Sequence, residues 1–173
     1  MTQTQTKSRG FTIVELLIVI IVIAILAAIT IVAYNGVQNR AHSSAQKATA
    51  VSLAKKLEAY NAVSGAYPVS NTAALMTTAL NAGPSEAVLT GSGITLGTPS
   101  ATNADSIVQL RTCAAGAQTA GTTVPTGYVI YIWDATLTTP GLNPVSSGGI
   151  GSITPGAAGV ANTATCTNSY TVA

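Results

Sequence analysis

Residues 11–33 read FTIVELLIVIIVIAILAAITIVA, with Thr12, Glu15 and Thr30 as the only polar side chains. At a rise of about 1.5 Å per residue, a helix over this stretch covers roughly 34 Å, enough to cross a hydrocarbon core about 30 Å thick. Lys7 and Arg9 precede it and Arg40 follows only at a distance. The positive-inside bias therefore predicts a cytoplasmic amino end and a single pass, with the bulk of the chain outside. A cleaved secretory signal fits poorly, because its apolar run is about 7–15 residues and ends at a small-residue cut site. Glu15 is out of place in a plain anchor, since a carboxylate in an apolar span is costly and calls for a partner.

The helical pattern runs on past the span. Residues 34–62 contain no proline and one glycine, Gly36, among many Ala, Gln, Lys, Leu and Glu, all of them helix formers. Leu53, Leu57 and Tyr60 recur at helical spacing and Ala50 and Ala54 extend the stripe, so this face is expected to pack against something. Arg40, Lys47, Lys55, Lys56 and Glu58 fall elsewhere on the segment and read as a solvated polar side, with His42 solvated or interfacial. Ser64-Gly65 and then Tyr67-Pro68 are stop signals. Residues 11–62 are thus expected to form one helix, roughly 78 Å long.

The whole chain has 173 residues, 47% hydrophobic and 7% charged, against about 25% charged in ordinary soluble domains. The net charge of +2 comes from Lys7 and Arg9, because residues 11–173 carry five basic and five acidic side chains. Such neutrality argues against nucleic-acid binding, which needs a basic face.

Lys7-Ser8-Arg9-Gly10 followed by Phe11-Thr12-Ile13-Val14-Glu15 resembles the processing site of type IV prepilins. Leu57-Glu58-Ala59-Tyr60, Gly65 and Tyr67-Pro68 resemble the end of the long helix in pilins and in the pseudopilins of type II secretion. The resemblance implies a leader at residues 1–10, cut after Gly10 by a prepilin peptidase, and methylation of the new amino terminus at Phe11. It also implies that Glu15 serves assembly by neutralising the Phe11 amine of a neighbouring subunit. Phe11 and Glu15 stand at i and i+4, on one helix face, and a carboxylate in the first turn suits the helix dipole. Many pilins have a helix-breaking Gly and Pro in the span; here those positions are Ala24 and Val32, neither of which weakens a helix comparably. Any melted stretch in a filament is therefore expected to be shorter, or shifted toward Asn35-Gly36.

Residues 63–173 read as an extracytoplasmic head of short strands separated by Gly, Pro, Ser and Asn turns. Tyr128-Val129-Ile130-Tyr131-Ile132-Trp133 is the clearest, a central strand. Residues 87–96, 106–112 and 163–172 are further strand candidates, and 72–81 reads as a short helix or loop. The predicted fold class is α+β: a long amino-terminal helix, spanning or filament-forming over residues 11–33, packed on a small antiparallel sheet.

Cys113 and Cys166 are the only cysteines. In an exported chain an even pair favours a disulfide over two free thiols, and it would close a loop worth about 4 kcal/mol by the chain-entropy model. In pilins with such a pair the enclosed region is a variable surface, so the resemblance implies that residues 134–165 face outward. No catalytic set, metal site or cofactor site emerges. His42 is the lone histidine, Asp105 and Asp134 could pair with Ser or with each other, and neither acid–base nor metal chemistry has enough parts. Gly148-Gly149-Ile150-Gly151 follows Pro144-Val145-Ser146-Ser147 rather than a convincing strand, which removes the dinucleotide reading. Major pseudopilins commonly bind calcium through carboxylates; residues 64–173 offer only Glu86, Asp105 and Asp134, few for a cation needing about six oxygens. Ser and Thr density permits O-glycosylation, while no Asn-x-Ser/Thr sequon occurs.

The resulting expectation is a non-enzymatic subunit of a type IV pilus. It sits in the cytoplasmic membrane as a precursor and then polymerises with itself into a helical surface filament for motility, adhesion or DNA uptake. Its partners would be the prepilin peptidase and the pilus platform with its ATPases, without direct nucleic-acid contact. The alternatives are a type II secretion pseudopilin and a membrane-anchored binding protein that never polymerises.

Overall fold

A computed structural model describes residues 10–69, 72–103, 105–114, 123–149, 152–154, 156–157, 163–165 and 169–171. Helix α1 (Ile13–Ser64) is unbroken, including Asn35-Gly36, and agrees with the predicted helix to within two residues at each end. Gly65 ends it at a φ of 72°, a left-handed stop that costs glycine nothing. The chain divides into two compact units at Gln38/Asn39. In the first, the large apolar side chains of residues 11–37 are between 48% and 84% exposed.

The second unit holds the core. Ser43, Gln46, Ala50, Leu53, Ala54 and Leu57 form the buried face of α1. Leu53 and Leu57 join Met76, Leu80, Val108, Leu110, Tyr128, Ile130 and Ile132 in one hydrophobic cluster, with Tyr60 packed against it. The stripe expected from Leu53, Leu57 and Tyr60 is therefore the contact face, extended at its lower end by two polar residues.

Helix α2 (Ala73–Asn81) follows, capped by Thr72, whose hydroxyl accepts from the Leu75 amide. The strands are β1 (Thr95–Leu96), β2 (Ile107–Cys113), β3 (Gly127–Asp134), β4 (Gly141–Gly148), β5 (Ser152–Thr154), β6 (Thr163–Thr165) and β7 (Ser169–Thr171). The main sheet runs β1-β2-β3-β4, with β7 also paired to β2, while β5 and β6 form a separate ribbon. The predicted central strand is β3, between β2 and β4. Its even-numbered side chains Tyr128, Ile130 and Ile132 enter the core, as period-2 alternation requires.

Four expectations need correction. The sheet is mixed rather than antiparallel, because β1 pairs parallel to β2 (Thr95 with Ile107). Residues 87–96 are mostly not a strand. A 3-10 turn occupies Ser85–Ala87, Asn81 Oδ1 accepts the amides of Leu89 and Thr90, and Gly91 and Gly93 sit at φ of 77° and 74°. Amides held by a side chain and left-handed glycines leave only Thr95–Leu96 extended. Within 163–172 the described residues hold two strands serving two sheets, β6 on β5 and β7 on β2. Finally, Pro144-Val145-Ser146-Ser147, read as no convincing strand, lies within β4 (Gly141–Gly148), which pairs with β3 at the edge of the main sheet. Pro144 fits there because β4 is an edge strand and the register shifts at Ile130/Tyr131 beside it, the two places where a sheet tolerates proline.

Candidate processing and assembly site

Thr12, Ile13, Val14 and Glu15 form a capping box. Thr12 N–H and Thr12 Oγ1 both donate to Glu15 Oε2 at 2.8 and 2.9 Å, and the Glu15 amide donates to Thr12 Oγ1 at 3.2 Å. Two amides that begin a helix without partners are thus satisfied reciprocally. The S/T-x-x-E spacing was visible in the sequence; Thr12 is the residue overlooked. Gly10 and Phe11 precede the helix and are exposed, Phe11 by 81%. The scissile junction expected after Gly10 therefore lies in accessible, non-helical chain. Glu15 stands beside it with its carboxylate turned back toward the helix start.

In the head, charged and polar groups of α1 grip the sheet and loops. Ser43 Oγ donates to Asp134 Oδ1 at 2.9 Å, and Lys47 Nζ lies 3.7 Å from Asp134 Oδ2. The Thr136 amide and hydroxyl (3.0 and 2.6 Å) and Asn143 Nδ2 (3.0 Å) complete the shell of this buried carboxylate. Burial raises the Asp134 pKa, but the hydrogen bonds of Thr136, Asn143 and Ser43 outweigh it and hold the carboxyl at about 2. Gln46 Oε1 accepts the Trp133 amide at 2.8 Å. His42 Nδ1 sits 2.9 Å from Asp105 Oδ1.

Further along, Lys56 Nζ donates to the Val88 carbonyl at 2.6 Å, and Tyr67 Oη donates to Glu58 Oε1 at 3.0 Å. Burial and the Glu58 carboxylate push the Tyr67 hydroxyl up to about 12. Lys47, Lys56 and Glu58 were expected to be merely solvated; each instead holds a strand or loop against the helix. Asp105 and Asp134 do not meet each other, and of the two only Asp134 takes a serine. Gly148 packs where any Cβ would strike Tyr128 and Glu58, and Gly149 has a φ of 63° against the Thr126 carbonyl. Those glycines serve close packing, and the next described element is strand β5.

A cavity of about 80 Å³ beside His42 and Asp105 is also lined by Asn39, Ser100, Asn103 and Trp133. It has room for a few waters. Among the described residues no three His, Cys, Asp or Glu side chains gather. Cys113 is fully buried at the end of β2; Cys166 lies outside the described residues.

Against known families, residues 5–31 match the prokaryotic N-terminal methylation motif. The match runs across the Gly10–Phe11 junction, the capping box and most of the apolar run, and does not reach the head. With the long apolar helix, it is consistent with a type IV pilin-like prepilin and supports the pilin or pseudopilin class. The motif implies processing by a prepilin peptidase and assembly into a filament and points to a structural protein, and the apolar helix is consistent with membrane anchoring beforehand. No curated protein and no solved structure matches the chain.

Proposed function

We propose that this chain is a body subunit of a type IV pilus. Residues 11–33 anchor the precursor with its amino end in the cytoplasm. A prepilin peptidase cuts between Gly10 and Phe11, Phe11 is methylated, and the processed subunits polymerise into an extracellular filament driven by the assembly platform and its ATPases. One observation carries the reading: the methylation motif coincides with a capped helix start whose following apolar side chains find no partner in their own unit. Cleavage creates a positive amine at Phe11, one helical turn from Glu15. In a bundle of such helices the two charges of neighbouring subunits offset each other's loss of solvation.

The head favours a pilus over a calcium-binding pseudopilin, because Asp105 and Asp134 are occupied by His42 and by Ser43, Lys47, Thr136 and Asn143. Cys113 is proposed to pair with Cys166: β7 sets Ser169 directly across from Cys113, and Cys166 precedes Ser169 by three positions in the sequence.

The test is the amino-terminal sequence and intact mass of protein sheared from the cell surface, imaged in the same preparation. Chains beginning with methylated Phe11 in thin filaments are expected. Chains beginning at Met1 and found only in membranes would leave a tethered binding protein instead.

A further inference from the structure

The cavity of about 80 Å³ beside His42 lies wholly within the head unit, among α1, the loop leading into β2 and the end of β3. Three of its lining residues, Asn39, His42 and Asn103, are exposed, so it is reached from solvent. A fourth, Gln46, is only 2% exposed. Gln46 Oε1 accepts the Trp133 amide. Its Nε2 has no hydrogen-bond partner among the described residues, yet it is not an enclosed atom, so it opens on the cavity. A donor held in such a place is costly unless something accepts from it.

The remaining wall defines that something. Asp105 is the lining carboxylate, and His42 Nδ1 already lies 2.9 and 3.0 Å from its two oxygens. An anion would be repelled by Asp105 and a cation would compete with His42 for it, so the cavity suits an uncharged group. Such a group needs an acceptor for Gln46 Nε2, a donor for Asp105, and an apolar part against Ala101 and Ala135. An amide bearing a methyl has all three. An engineered cavity of about 150 Å³ takes benzene; one of about 80 Å³ takes a smaller group and leaves the rest of its ligand outside. Outside, the rim is uncharged and hydrogen-bonding: Asn39, Ser100 and Asn103, whose Nδ2 is held by the Thr98 carbonyl and whose Oδ1 is free to accept. Hydroxyl groups match that rim.

We infer that the head binds an N-acetylated amino sugar here. The acetamido group enters the cavity with its carbonyl oxygen on Gln46 Nε2 and its N–H toward Asp105, and the sugar hydroxyls stay at the rim. All the residues involved belong to the head, so the site stands whether or not the chain polymerises.

Trp133 is the chain's single tryptophan and lines the cavity, so its fluorescence reports occupancy. The full chain, solubilised in a detergent without sugar, is titrated with N-acetylglucosamine, N-acetylgalactosamine, glucosamine and glucose, and saturation-transfer NMR is recorded on the acetylated pair. At least one acetylated sugar is expected to give a saturable change, with its methyl protons the most strongly saturated. The two sugars lacking the acetyl group should bind at least about tenfold more weakly. Gln46→Glu keeps an oxygen for the Trp133 amide and removes the donor; Ala101→Leu fills the cavity from its exposed side. Each should abolish the methyl signal, and Ala101→Leu should melt with the parent. No saturable change and no methyl signal from either acetylated sugar, equal responses to all four, or undiminished binding by Ala101→Leu would overturn the site. Displacement of the sugar by an equal concentration of N-acetylglycinamide would overturn the saccharide assignment.

Discussion

Leu17 and Leu53 lie on one helix, yet Leu17 is 50% exposed and Leu53 not at all. Around Leu17 every neighbour is apolar, and the only side-chain hydrogen bonds of residues 10–38 span three positions: the Thr12–Glu15 box and the Thr30 hydroxyl on the Ala27 carbonyl. Around Leu53 the same helix face is locked to residues far away in sequence, through Ser43 to Asp134 and Gln46 to Trp133. One unit is complete as a fold and the other is complete only as a helix. A helix that is apolar all round is stable where its surroundings are apolar: a bilayer before assembly, other copies afterwards. The head owes nothing to either setting.

The largest effect should come from striking the first unit where it has chemistry. Glu15→Leu is expected to abolish surface filaments while leaving the melting temperature of the detergent-solubilised chain unchanged, since the hydrogen bonds of Glu15 go to Thr12, three residues away. A melting temperature that fell with filament yield would break the contrast between the units.

Next in size is the pair of leucines itself. Leu53→Ala leaves a cavity in the core and should cost the head about 2–5 kcal/mol. Leu17→Ala, measured on the same solubilised chain, should leave head unfolding within error of the parent. Equal losses would mean that the two units do not unfold separately.

Acid sharpens the contrast further, because the head contains a buried carboxylate whose partners come from both helix and strand. Asp134 sits at about 2 against an ordinary value of 3.8. A lowered folded-state pKa means that its contribution is present above about pH 4 and is lost as the pH falls toward 2. The shift corresponds to about 2 kcal/mol. Asp134→Asn should lower head stability at neutral pH by about that amount and flatten its decline between pH 4 and 2. A variant as acid-sensitive as the parent would place the sensitivity elsewhere.

What could be read without coordinates followed the same division. Helix α1 was legible nearly to the residue, because its extent is dictated by local composition: an apolar run, no interior proline, a Gly65 stop. β3 was legible too, since six consecutive β-branched and aromatic residues have few alternatives. What stayed hidden depended on partners distant in sequence. Nothing local marks Pro144 as a strand residue, or shows that Lys56 and Glu58 face a carbonyl and a tyrosine rather than water. The stretch 87–96 read as extended because its apolar residues suit a strand, and the deciding competitor was one amide side chain, Asn81, eight residues from Leu89. Thr12 is a different kind of miss. Its signal was local and complete, and it was passed over because Glu15 already had an explanation.

The smallest effect belongs to that threonine. Thr12→Ala removes the hydroxyl that both donates to Glu15 and accepts its amide. Loss of an N-cap costs about 1 kcal/mol, and because the first turn frays locally rather than with the whole helix, its amides should exchange roughly fivefold faster. Thr12→Ser keeps the oxygen and should exchange at the parent rate. Mass-resolved hydrogen exchange on the solubilised chain separates the possibilities: acceleration confined to the peptide containing residues 12–16 fits a cap that serves its own turn. Acceleration reaching Leu53 and Leu57 would show that the start of α1 also supports the head, and the division at Gln38 would then mark a change in surroundings, not in cooperativity.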